Sequence, residues 1–187
     1  MISTKDFRRK LKIEIDGEPF EIIKCQHVKP GKGVAFVKTT LKSLLDGHVE
    51  HENFRSGDTV DTPQLETREM EYLYQEDPHF IFMDTETYEQ RELDKEMLGE
   101  NIKWLKEGET VQFALYQGKI VDMEVPKAVD RTVIQTDPGL RGDTAQGGSK
   151  PATIEGGAVV EVPLFVKQGD CIRVDTRSGE YVSRVDT

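Results

Sequence analysis

One lysine of this chain lies where its side chain could reach an anionic group. Lys32 belongs to the segment Lys29-Pro30-Gly31-Lys32-Gly33, in which Pro30 fixes its own φ while Gly31 and Gly33 tolerate backbone conformations closed to other residues. Such a segment predicts a tight reversal between two strands, with Lys32 at its tip. An ammonium group on a long flexible stem is suited to hydrogen bonding with phosphate or hydroxyl oxygens.

A solvent-exposed hairpin loop with no partner is the simplest alternative for Lys32. Against it stands the charge pattern, because residues 22–45 contain no Asp or Glu in a chain that is otherwise strongly acidic. An ordinary solvated surface would carry both acidic and basic side chains. A Schiff-base lysine is a further alternative, but it requires an apolar or cationic pocket that an exposed, glycine-flanked tip does not provide.

The remaining reactive residue types form no recognisable catalytic or metal-binding group. His48 and His51 are close in sequence but have no evident third ligand, so two surface histidines are the simpler interpretation. Cys25 and Cys171 lack metal-type spacing and are expected to be thiols. We therefore predict no catalytic residue, no metal, no cofactor and no enzymatic activity.

Charge is distributed unevenly along the chain. The formal net charge is -10, which argues against indiscriminate nucleic-acid binding. With provisional boundaries after Pro63 and Lys127, the three segments carry about +1, -9 and -2. The basic surface is therefore expected in the first segment and the acidic surface in the middle one.

Alternating apolar and polar residues predict β-strands in all three segments. The apolar spacing after Asp94 predicts one short amphipathic helix with Asp94 as its N-cap. We expect an all-β protein of three small barrels, with domains at residues 1–63, 64–127 and 128–187. The middle pattern fits an oligonucleotide-binding (OB) barrel and also other small barrels. No apolar run is long enough to span a bilayer and no signal peptide is evident, so we expect a cytoplasmic protein.

Several longer motifs resemble bacterial translation elongation factor P over the whole length of the chain. The first is the Lys29–Gly33 segment itself. The others follow in the same order as in that family and are Thr136–Thr144, Lys150–Thr153, Gly156–Val166 and Val174–Arg184.

This resemblance implies an N-terminal SH3-like or KOW-type barrel followed by two OB barrels, with an L-shaped outline like that of tRNA. It implies a monomer that binds the 70S ribosome beside the peptidyl-tRNA in the P site and relieves stalling at consecutive prolines. Lys32 would contact that tRNA, with Lys29, Pro30, Gly31 and Gly33 shaping the turn. A lysine-modifying enzyme would extend the Lys32 side chain.

The resemblance also implies contacts near the other end of the chain. Arg141, Gly142, Asp143 and Thr144 would form a loop near exit-site messenger RNA, while Tyr181 and Arg184 would face the small subunit and tRNA. Two alternatives stay open: a divergent paralogue of the same factor, and a tandem-barrel RNA-binding module without a role in peptidyl transfer.

Overall fold

The computed structural model describes residues 1–139 and 147–186. Two compact units can be distinguished by their internal contacts. The first comprises Met1–Thr67 with Ala114–Asp122, and the second comprises Arg68–Phe113 with the described residues from Met123 onwards. The domain boundaries after Pro63 and Lys127 stay a prediction. The region 141–144, in which four site residues were expected, lies outside the described residues.

The first part of the chain forms a four-stranded antiparallel sheet and a separate strand pair. The sheet order is β2-β3-β4-β5, while β1 pairs with β6. The apolar face of the four-stranded sheet covers a core of Phe7, Ile13, Phe20, Ile22, Val37 and Leu41. The strands are β1 (Ile2–Ser3), β2 (Lys12–Ile15), β3 (Glu18–Val28), β4 (Phe36–Ser43), β5 (Val49–Arg55) and β6 (Thr59–Val60), with a 3-10 turn at Thr4–Asp6.

The middle of the chain contributes a five-stranded sheet and a short helical segment. The sheet order is β11-β10-β7-β8-β9. The elements are β7 (Glu66–Glu76), β8 (His79–Asp84), β9 (Gln90–Asp94), α1 (Lys95–Leu98), a 3-10 helix (Gly99–Trp104), β10 (Thr110–Tyr116) and β11 (Lys119–Glu124).

The predicted helix after Asp94 is present but is shorter than the apolar spacing suggested. Asp94 occupies the N-cap position without a side-chain capping bond, and its carboxylate lies 2.8 Å from Nδ1 of His79 instead. The α-helix ends at Leu98 because Gly99 has a φ of 59°, outside the right-handed helical region. A 3-10 helix then continues to Trp104.

The last part of the chain forms another five-stranded antiparallel sheet, in the order β14-β13-β12-β15-β16. Its core combines Trp104 with inward-facing valines, isoleucines and alanines of these strands and of the residues next to β14. The strands are β12 (Ala128–Thr136), β13 (Ser149–Ile154), β14 (Val159–Pro163), β15 (Cys171–Asp175) and β16 (Glu180–Val185). The prediction of an all-β protein with one short helix is confirmed.

The described residues include no helix that is both long enough and apolar enough to cross a membrane.

Candidate functional site

The Lys32 segment connects the two longest strands of the first sheet. The final pair of the β3–β4 ladder is Val28 with Phe36, so residues 29–35 form the connection. The expectation of a tight reversal was wrong, because the loop is longer than a two-residue hairpin turn. Pro30 has no N–H to donate and its ring restricts the residue before it, so the ladder ends before Lys29.

The two glycines of the loop have different backbone roles. Gly33 has a φ of +112°, which L side chains rarely adopt, and a Cβ placed there would lie 3.8 Å from Cγ of Pro30. Gly31 has no positive φ, and a Cβ there would meet no atom within 4 Å. Only Gly33 therefore carries a conformational requirement for glycine in this loop.

Every residue from Lys29 to Val34 is exposed. Within the described ranges, neither Lys29 nor Lys32 forms an ion pair. Because Lys32 is surrounded by solvent, the loop lacks the enclosing pocket on which covalent lysine catalysis depends. The arrangement can present a cation to an anionic or polar partner.

Behind the loop, the outer face of β3, β4 and β5 forms a shallow basic groove of about 330 Å³. Lys24 lies opposite Thr40, and Lys38 lies between Gln26 and Asn53 in the strand register. Both lysines are exposed. These residues were not singled out individually by the sequence patterns, although the acid-free stretch from 22 to 45 contains both lysines. Together with Lys32 they give one end of the first unit a positive surface.

The two histidines considered for metal binding do not converge. Nδ1 of His51 lies 3.1 Å from Oγ1 of Thr40, whereas Nδ1 of His48 lies 2.6 Å from Oδ1 of Asp46. The hydrogen bond with Asp46 raises the pKa of His48 above its ordinary value. Asp46, His48 and Glu18 place their ligand atoms within 4.8 Å of one another, but exposed acidic side chains commonly cluster without binding a metal.

Tyr181 and Arg184 lie on β16, where exposure alternates along the strand. Tyr181 is partly buried and packs against the core of the last sheet. Arg184 is exposed, and its guanidinium carbon lies 6.0 Å from the ring centroid of Phe165. The two predicted contact residues therefore differ in their surroundings, and Phe165, which sequence reasoning did not single out, lies beside Arg184.

Sequence reasoning also missed a buried arginine in the second unit. The side chain of Arg131 is 1% exposed, and its two terminal nitrogens donate to Glu109 at 2.8 and 2.6 Å. They also donate to the backbone oxygens of Trp104 and Asp130. A charged residue in the period-2 pattern of Val129, Arg131 and Val133 is the signal that could have revealed it.

Three family models match successive parts of the chain. They describe the KOW-like domain of elongation factor P at residues 3–60, its OB domain at residues 65–123 and its C-terminal domain at residues 129–184. The fold and the exposed lysine loop thus belong to a translation elongation factor built from KOW-like and OB domains.

Curated relatives agree with these matches over nearly the whole chain. Elongation factor P of Coprothermobacter proteolyticus is 54% identical over 99% of this chain and 100% of its own length. Elongation factor P of Pelotomaculum thermopropionicum is 49% identical over the same shares. The chain belongs to the bacterial elongation factor P family, as the sequence motifs predicted.

A solved structure described as eukaryotic translation initiation factor 5A from Methanococcus jannaschii is a more distant neighbour. It is 24% identical over 66% of this chain and 92% of its own, with a TM-score of 0.49. That likeness is too weak to bear on fold or function.

Proposed function

We propose that this translation factor binds the ribosome beside the peptidyl-tRNA in the P site and stimulates peptide-bond formation, relieving stalling at consecutive prolines. The observation that supports this most directly is the position of Lys32 on an exposed loop without an ion-pair partner among the described residues. A free ammonium group on a long stem can reach phosphate and 2′-hydroxyl groups in a narrow RNA cleft.

Lys32 acts in this proposal by positioning and takes no covalent part in the reaction. Holding the tRNA end in a reactive geometry removes an entropic barrier, and the effective molarity gained by such alignment can be very large. Proline is a conformationally restricted and slow reactant, so it gains most from alignment. An enzymatic extension of Lys32 would lengthen the reach of the amine.

The other proposed contacts follow the family resemblance. Residues 141–144 face exit-site messenger RNA, and Tyr181 with Arg184 faces the small subunit and tRNA. The factor acts as a monomer in the cytoplasm. Its acidic middle segment faces away from RNA or toward ribosomal protein, because carboxylates repel phosphate.

A reconstituted translation assay tests the role of Lys32. The assay compares a message encoding consecutive prolines with a message lacking them, in the presence of wild-type protein or of Lys32→Ala, Lys32→Arg or Lys95→Ala. Lys32→Ala should lose about tenfold or more of the stimulation on the proline message, since alignment by the cation is removed. Lys95 is exposed on the short helix and provides the matched control.

The proposal fails if Lys32→Ala supports synthesis through consecutive prolines as well as the wild-type protein does. Lys32→Arg keeps the charge but cannot receive the same extension, so it distinguishes charge alone from an extended amine. Tandem mass spectrometry of the tip peptide from the native organism should give a mass above that fixed by the sequence.

A further inference from the structure

We infer that a groove of the last sheet binds one unpaired base of an RNA strand, with Phe165 as the ring on which the base stacks. The groove has a volume of about 870 Å³ and lies along β14 and the start of β16. This volume falls within the usual range for small-ligand pockets. Phe165 lines it and is 58% exposed, so much of the ring is open to solvent.

Phe165 and Arg184 offer flat surfaces of the kind that unpaired bases use. The guanidinium carbon of Arg184 lies 6.0 Å from the Phe165 ring centroid. Sequence-tolerant binding of single-stranded RNA relies on aromatic rings and arginine planes, because every base has a π face. The partly buried ring of Tyr181 lines the same groove. Gly179 also lines it, and because glycine has no Cβ, a base can approach the backbone closely there.

The carboxylate of Glu161, which lines the groove, can distinguish one base from another. Glu161 accepts a hydrogen bond of 2.9 Å from Oγ of Ser149, which holds the carboxylate in place. An ionised carboxylate only accepts hydrogen bonds. Guanine presents two adjacent N–H donors on its Watson–Crick edge, whereas adenine presents one amino group beside an acceptor. The geometry therefore favours guanine.

The charges around the groove determine which part of the RNA enters it. Glu161 and Glu180 both line it, and their negative charges repel phosphate. A base is uncharged and can enter, while the neighbouring phosphate stays outside on the side of Arg184. This distribution is unsuited to free phosphate or to a backbone lying along the groove floor.

Only one premise of this inference comes from the proposed function, namely that RNA is the partner of the protein. The groove is formed by the C-terminal part of the chain and includes no residue of the Lys32 loop. Binding here can therefore be measured without peptide-bond formation.

The test is an NMR titration of the isotopically labelled full-length chain with the pentaribonucleotides UUGUU and UUAUU. We expect chemical-shift changes concentrated at Ser149, Glu161 and Gly179, with tighter binding of UUGUU. Phe165→Leu keeps an apolar side chain but removes the ring, and it should weaken UUGUU binding about tenfold. Glu161→Gln should remove the preference for guanine over adenine.

Val182→Ala is the matched control, because Val182 is 55% exposed on β16 and does not line the groove. It should leave both affinities unchanged. Unaltered UUGUU binding by Phe165→Leu, or shift changes confined to another surface, would overturn the inference. Lys32→Ala should bind UUGUU as the wild-type chain does, so failure in the translation assay and failure here are separate results.

Discussion

At the level of single residues, Gly33 and Gly31 provide a matched pair within the lysine loop. Gly33→Ala should lower the free energy of unfolding by about 1 kcal/mol, because an L side chain at a φ of +112° is strained. Gly31→Ala meets no such strain and should change stability by no more than about 0.5 kcal/mol. Urea denaturation of both variants measures the difference, and equal losses would contradict the assignment of the strained position.

His48 is a second residue whose behaviour follows from one contact. Its pKa should be raised above the ordinary value of histidine, because the hydrogen bond with Asp46 favours the charged imidazolium. A pKa raised by folding contributes stability that is present below the unfolded-state pKa and disappears as pH rises through the folded-state value. An NMR titration should show Asp46→Asn returning the His48 pKa toward its ordinary value, whereas Glu50→Gln should have less effect. An unchanged titration in Asp46→Asn would contradict this origin of the shift.

At the level of secondary-structure elements, the Arg131–Glu109 pair connects β12 to the segment preceding β10. Glu109→Gln leaves the arginine charge buried without its carboxylate and should cost about 3 kcal/mol of stability. This value is at the lower end of the destabilisation usually caused by breaking a buried ion pair, because the Glu109 side chain is 43% exposed and its charge is partly solvated.

Urea unfolding followed by the fluorescence of Trp104, the single tryptophan, measures this change directly. Trp104 lies in the core beside Arg131 and accepts its hydrogen bond through the backbone oxygen. Glu107→Gln is the matched control because Glu107 is exposed, and its effect should stay within about 0.5 kcal/mol. Similar midpoints for the two variants would argue against a stabilising pair.

Local sequence patterns predicted the strands well, because alternation of apolar and polar residues follows directly from the two faces of a sheet. They predicted the helix after Asp94 less well, since Met97, Leu98, Ile102 and Leu105 suit an α-helix but Gly99 ends it. The alternation of β12 places Arg131 on the inward face, but its partner Glu109 is 22 residues away in sequence, so local patterns did not identify the pair.

In the candidate site too, local sequence predicted some features, whereas others depend on residues that are distant in sequence. The loop carrying Lys32 was predicted because proline and glycine act through their own backbone. The length of the loop was not predicted, because it depends on where the hydrogen-bonded ladder between β3 and β4 ends. The groove at Phe165 requires β14 and the start of β16 to lie side by side, which no local pattern specifies.

At the level of the whole molecule, the basic residues available to contact phosphate determine how the proposed ribosome binding should respond to salt, and acidic residues outnumber them in this chain of net charge -10. Each phosphate contact made by a cation releases counterions, so the slope of log affinity against log salt reports the number of such contacts. Because basic residues are in excess only in the first segment, few contacts and a shallow slope are expected.

The basic groove behind the Lys32 loop should account for part of that slope. Lys24→Gln combined with Lys38→Gln removes two cations and should reduce the magnitude of the slope by about 1.4. The control combines Lys95→Gln with Lys127→Gln, which removes the same charge from exposed positions elsewhere. Ribosome binding measured at several potassium chloride concentrations gives each slope. An equal reduction in both double variants would mean that net charge alone governs association, whereas a reduction confined to the first would mean that the outer face of β3 and β4 contacts phosphate.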